Sequence, residues 1–70
     1  MFKKICIIGC GLIGSSLARA IKKNNLAEKI VSSNRSDAVN KKVIELKIVD
    51  DSSSDTKKMA DGSDLVVIAT

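Results

Sequence analysis

Three glycines in Gly9-Cys10-Gly11-Leu12-Ile13-Gly14 stand in the spacing G-x-G-x-x-G. The chemistry open to such a loop is anion binding by backbone N–H groups, helped by the positive end of a following helix. Each glycine has a separate task. Gly9 permits a tight turn out of a strand, and Gly11 removes a side chain where the backbone approaches a diphosphate. Gly14 lets the helix pack closely on the sheet. The spacing alone says little, because glycines recur in many turns. Here it follows the apolar run Ile5-Cys6-Ile7-Ile8 and opens an amphipathic segment, the context a dinucleotide site requires. That context carries the dinucleotide reading over a ligand-free glycine turn. Gly9, Gly11, Leu12, Ile13 and Gly14 are the expected diphosphate-binding residues.

Twenty residues after Gly14 comes Asn34, followed by Arg35 and Ser36. An NAD site usually carries Asp or Glu here to hold the ribose hydroxyls, and that carboxylate would repel a 2′-phosphate. Asn34 carries no such charge, and the Arg35 guanidinium can pair with phosphate through two parallel bonds. Ser33 and Ser36 add hydroxyls nearby. NADP is therefore the expected cofactor, with NAD still open because an arginine at this place can also stack on adenine. The competing reading makes Asn34-Arg35-Ser36 a turn that caps the next helix.

Other residue types exclude more than they suggest. The chain has no His, which removes Ser-His-Asp and Cys-His catalysis and His-ligated metals from these 70 residues. With no Trp or Tyr and a single Phe, Phe2, there is no platform for stacking bases. Cys6 and Cys10 have no partners to complete a zinc site, so they read as a packed strand thiol and a small loop residue. Two unpaired thiols suit a reducing, cytoplasmic setting. The pairs Lys22-Lys23, Lys41-Lys42 and Lys57-Lys58 contribute to a net charge of +4. Acids interrupt them, so they read as solvated helix backs rather than a nucleic-acid surface. Asp50, Asp51, Asp55, Asp61 and Asp64 match no calcium loop and read as caps and turn acids. The apolar run after Lys3-Lys4 is too short for a signal segment or a membrane span.

The elements that must hold these residues follow from hydrophobic period. Ile5–Ile8 is apolar on both faces, as in a covered parallel strand. Ile13, Leu17, Ala20 and Ile21 recur at helical spacing, with Asn24-Asn25 as a stop. Lys29–Ser33 predicts a second strand. Ser36-Asp37 starts a second helix over about 37–46, with Val39, Val43 and Leu46 on its apolar face. Ile48-Val49 predicts a brief third strand, 50–55 the most mobile stretch, 56–60 a short helix or turn, and Leu65–Ala69 a fourth strand. The alternation predicts an α/β fold, a Rossmann-type parallel sheet in the order 3-2-1-4 with crossover helices, the first half of a doubly wound fold. Both long helices then share one sheet face. The other face is left with little cover, which predicts association with missing chain or with a second copy as a homodimer.

GCGLIGSSLARA at 9–20 resembles the opening of prephenate dehydrogenases, including arogenate and cyclohexadienyl forms. KICIIG at 4–9, SDAVNKKVIELKIVDD at 36–51 and ADGSDLVVIAT at 60–70 extend the resemblance over essentially the whole chain. It implies hydride transfer from a cyclohexadienyl substrate to a nicotinamide, with decarboxylation, on the route to tyrosine. It also implies that residues 1–70 are a partial NAD(P)-binding domain without the catalytic and dimerisation part. No catalytic residue is then expected in the chain, and alone it should be inactive. Ala69 and Thr70 fall where the loop after the fourth strand passes the cofactor in similar proteins. The chain departs from the family at Asn34, where many members carry an acid, and at Ser15, where glycine is frequent. Pyrroline-5-carboxylate reductase or a β-hydroxyacid dehydrogenase is the rival enzyme reading, and a nucleotide-sensing module the rival of another class.

Overall fold

In the computed structural model, which describes residues 1–9 and 11–69, the chain runs through seven elements: β1 (Phe2–Ile8), α1 (Leu12–Lys23), β2 (Ala27–Ser33), α2 (Asp37–Glu45), β3 (Asp51–Ser53), α3 (Thr56–Ala60) and β4 (Leu65–Ile68). The strands form one parallel sheet in the order β3-β2-β1-β4, as the alternation predicts. The register sets Ile5 beside Ile30 and Leu65, and Ile8 beside Ser33 and Ile68. A central strand needs apolar residues on both sides, and Ile5, Cys6 and Ile7 are all fully buried. β1 and β2 begin earlier than their apolar runs, at Phe2 and Ala27.

Alternation along β1 divides the core in two. Ile5, Ile7 and Ile30 pack with Ala18 and Ile21 of α1, Val43 of α2, and Ile48 and Val49. Cys6 and Val31 face the other way, under Met59 of α3. This second face is better covered than expected, because one methionine on a five-residue helix closes it over β1 and β2. The uncovered surface narrows to β4, where Val66 is 42% and Ile68 72% exposed. Burial also pushes the Cys6 thiol pKa up, against the opposing pull of Lys4, so the sulfur stays protonated at neutral pH.

The third strand is not where hydrophobicity points. Ile48-Val49 is a buried turn, and the strand is the polar Asp51-Ser52-Ser53. The cause lies at the end of α2. Lys47 takes the left-handed conformation, φ 57°, while its N–H donates to the Ile44 carbonyl (3.0 Å) and the Ile48 N–H to the Val43 carbonyl (3.0 Å). These bonds form a Schellman cap, in which the residue after the left-handed position packs back on the helix. Ile48 does so beside Val43. α1 ends the same way, with Asn25 at φ 51° and the Leu26 N–H donating to the Ile21 carbonyl (3.0 Å). A side chain in this conformation costs about 1–2 kcal/mol, offset in part by the extra freedom glycine has when unfolded. Lys47→Gly should therefore raise stability by about 0.5–1 kcal/mol, read from urea denaturation; a lower midpoint would contradict the assignment.

Residues 50–55, expected to be mobile, are held by hydrogen bonds. The Asp50 N–H donates to the Ile30 carbonyl (2.7 Å), and the Asp50 carboxylate accepts from the Ile30 N–H (2.8 Å). Asp55 caps α3 by accepting from the Lys58 N–H (3.1 Å), and Asp64 accepts from the Lys3 N–H (2.6 Å). Asp55 is thus a cap, as expected, whereas Asp50 and Asp64 tie their loops to the distant strands β2 and β1. Among the described residues no three potential metal ligands cluster, and no helix is long and apolar enough to cross a membrane.

Candidate dinucleotide-binding site

The carboxyl ends of β1 and β2 open onto a cleft of about 610 Å³, lined by Ile8, Gly9, Ser33, Asn34, Arg35, Ser54 and Thr56. Ligands of open α/β sheets bind at this end of the strands. Gly9, which follows β1, is part of the cleft lining. Gly9 has φ 84°, donates its N–H to the Ser33 carbonyl (2.9 Å), and accepts the Gly11 N–H on its own carbonyl (2.9 Å). The turn is thereby tied to the end of β2.

Gly11 is the N-cap of α1, and its carbonyl accepts the first helical bond, from the Ser15 N–H (2.8 Å). No side chain caps this helix, and its first turn contains no acid. N–H groups at the start of a helix have no partner within it, so this end presents donors and a positive dipole end. A Cβ on Gly11 would meet nothing within 4 Å, which leaves room for a ligand phosphate against the backbone. A Cβ on Gly14 would lie 2.7 Å from the Gly9 carbonyl oxygen and 3.3 Å from Cγ2 of Ile7. Gly14 thus allows the close packing the motif predicts, and the space beside Gly11 is open. Leu12 and Ile13 are the first two residues of α1.

The turn after β2 also lines the cleft. Arg35 is exposed and lines the cleft, while Asn34 is half-buried. Asn34 donates from its side-chain nitrogen to Oδ1 of Asn40 (3.0 Å), and Nδ2 of Asn40 donates back to the Asn34 carbonyl (3.0 Å). Ser52 donates its hydroxyl to the same Oδ1 (2.6 Å). Its proton being used there, Ser52 must accept from the Ser32 hydroxyl across the 2.7 Å contact. Ser36 caps α2, accepting from the Val39 N–H (3.3 Å), so the capping reading holds for that hydroxyl. Ser33 and Thr56 share a 2.8 Å hydrogen bond in the cleft wall.

Several of these residues were not legible beforehand. Val39 and Leu46, expected on the buried face of α2, are 38% and 56% exposed; Asn40 and Val43 are the buried pair. An asparagine on a buried face is the one signal that could have marked Asn40. Ser54 and Thr56, which follow the displaced β3, also line the cleft. Ala69 donates its N–H to the Ile8 carbonyl (2.9 Å), which places it at the carboxyl end of β1 beside the cleft. Cys10 and Thr70 lie outside the described residues, as do the side chains of Leu12 and Ile13.

A parallel sheet in this order, with a glycine loop joining its central strand to the first helix, defines the Rossmann class. The chain belongs to the family described as NADP oxidoreductase coenzyme F420-dependent, which residues 4–70 match. It is 39% identical over 67 residues to a prephenate dehydrogenase of Lactococcus lactis subsp. cremoris, an alignment covering 96% of this chain and 18% of the relative. A crystal structure of prephenate dehydrogenase from A. aeolicus, in complex with hydroxyphenyl propionate and NAD+, superposes with a TM-score of 0.91 at 22% identity. It covers all of this chain and 25% of that one. The resemblance carried by GCGLIGSSLARA is borne out, and the chain spans about a fifth to a quarter of the length of these relatives.

Proposed function

We propose that this chain is the dinucleotide-binding portion of a prephenate or arogenate dehydrogenase and that it binds NADP in preference to NAD. The observation that carries the reading is a cleft lined by Gly9 and Arg35, with no carboxylate among its described lining residues, and an uncapped helix N-terminus that begins two residues after Gly9. Gly9, Gly11 and the first turn of α1, including Leu12, Ile13 and Gly14, hold the diphosphate. Arg35, with the hydroxyl proton of Ser36 beside it, meets a 2′-phosphate. The turn at Asn34 sets that rim, and Ala69 borders the path toward the nicotinamide. The bound cofactor would accept the hydride that a cyclohexadienyl substrate gives up as its ring loses carbon dioxide. No group that performs this chemistry is assigned within residues 1–70. The relatives supply the substrate class; the cleft supplies the cofactor class. A reducing, cytoplasmic setting suits the unpaired Cys6 thiol. A second copy of the chain would seat on the apolar strip of β4 at Val66 and Ile68 rather than across the whole second face.

Calorimetric titration with NADP+ and NAD+ tests the cofactor reading. A charged hydrogen bond of this kind is worth about 1.5–3 kcal/mol, so NADP+ should bind roughly ten- to hundred-fold more tightly. Arg35→Ala should erase that margin. Equal affinities in the unsubstituted chain would remove the NADP preference while leaving the dinucleotide site standing.

A further inference from the structure

Arg35 is exposed and sits on a short turn, so something must hold that turn in place for the guanidinium to read a phosphate. We infer that Asn40 is the positioning residue for cofactor discrimination, clamping the β2–α2 turn so that Arg35 stays at the cleft rim. The inference rests on the NADP reading of the cleft. Asn40 is 5% exposed, yet it carries an amide on the buried face of α2, where packing alone would favour an apolar side chain. Both ends of that amide grip Asn34: Oδ1 accepts its side-chain N–H at 3.0 Å, and Nδ2 donates to its carbonyl at 3.0 Å. Asn34 immediately precedes Arg35. The amide is itself anchored from below, since Ser52 of β3 donates to Oδ1 at 2.6 Å and Ser52 is joined to Ser32 of β2 at 2.7 Å. A chain of four polar side chains thus links the sheet interior to the turn that carries the charge. Buried networks of this kind hold geometry when every member is satisfied.

The network also explains what stands in place of an acid. A ribose-holding carboxylate would act by touching the cofactor. Asn34 is bonded instead into its own helix, and the discriminating charge moves one residue on, to Arg35.

The test compares the ratio of NAD+ to NADP+ dissociation constants in the parent and four variants, together with thermal denaturation of each. Asn40→Ala should lower that ratio roughly ten-fold or more, toward the value given by Arg35→Ala. The double variant should show no further fall, because both changes act through one guanidinium. Val43→Ala is the control. It opens a cavity on the same buried face of α2 while leaving Asn40 and both its bonds to Asn34 in place, so it should lower the melting temperature and spare the ratio. If Asn40→Ala does not fold, Asn40→Ser keeps a hydroxyl toward Ser52 and drops both links to Asn34. An Asn40 variant that melts earlier but keeps the parent ratio, while Arg35→Ala loses it, would overturn the positioning role and leave the NADP reading intact. An Arg35→Ala chain with an unchanged ratio would overturn both.

Discussion

Gly14→Val should destabilise the chain by about 3 kcal/mol, near the upper end of what overpacking costs. The first atom of any side chain at this position would already lie 2.7 Å from the Gly9 carbonyl oxygen. That oxygen cannot swing away as a flexible side chain would. It belongs to a turn whose N–H is bonded to β2 and whose carbonyl receives the Gly11 N–H. Either α1 tilts off the sheet or the β1–α1 turn breaks. A domain of 70 residues has a net stability of only roughly 3–10 kcal/mol. At roughly 4–8 °C per kcal/mol, the melting temperature should fall by at least about 12 °C. Circular dichroism during heating reads this directly. An unchanged melting temperature would mean that α1 does not pack on β1 as described.

Gly11→Val should do the opposite: keep the fold and lose the cofactor. The space around a Gly11 Cβ is open, so stability should change by less than about 1 kcal/mol. The added side chain projects from the N-cap of α1, beside the donors that would take a diphosphate. Losing two charged hydrogen bonds there should weaken binding at least about 100-fold for NADP+ and NAD+ alike. The pair of glycine variants separates two demands that a sequence motif merges. If Gly11→Val binds as tightly as the parent, the diphosphate is not held at this helix end.

Much of this was legible from residue order because each signal had a single physical source. An apolar run of four residues between turn residues suits a strand, and Ile5–Ile8, mostly buried, and Leu65–Ile68, mostly exposed, are strands. A glycine triplet between such a run and an amphipathic helix has few other uses. The third strand was hidden for the converse reason. Asp51-Ser52-Ser53 has no apolar pattern, because the one inward residue, Ser52, is satisfied by hydrogen bonds to Ser32 and Asn40 rather than by packing. The cap that displaces it was also concealed, since the left-handed position holds Lys47 where a glycine would have announced the turn. Asn40 escaped notice because helical periodicity looks for apolar positions, and here the helix buries an amide against a polar strand. At the candidate site, the glycine loop and Arg35 could be read from type and spacing. The clamp behind Arg35 depends on contacts between α2 and β3, which spacing does not encode.

The make-up of the cleft wall carries one more consequence. Its described lining contains one guanidinium, hydroxyls, an amide, backbone and a single aliphatic side chain, with no acid to oppose them. Such a surface draws polyanions from solution before any specific contact forms, and that attraction fades over about 10 Å at 0.1 M ionic strength. Dinucleotide capture at the proposed site should therefore weaken as ionic strength rises. A cofactor bearing an extra phosphate would respond to added salt more steeply than one without it.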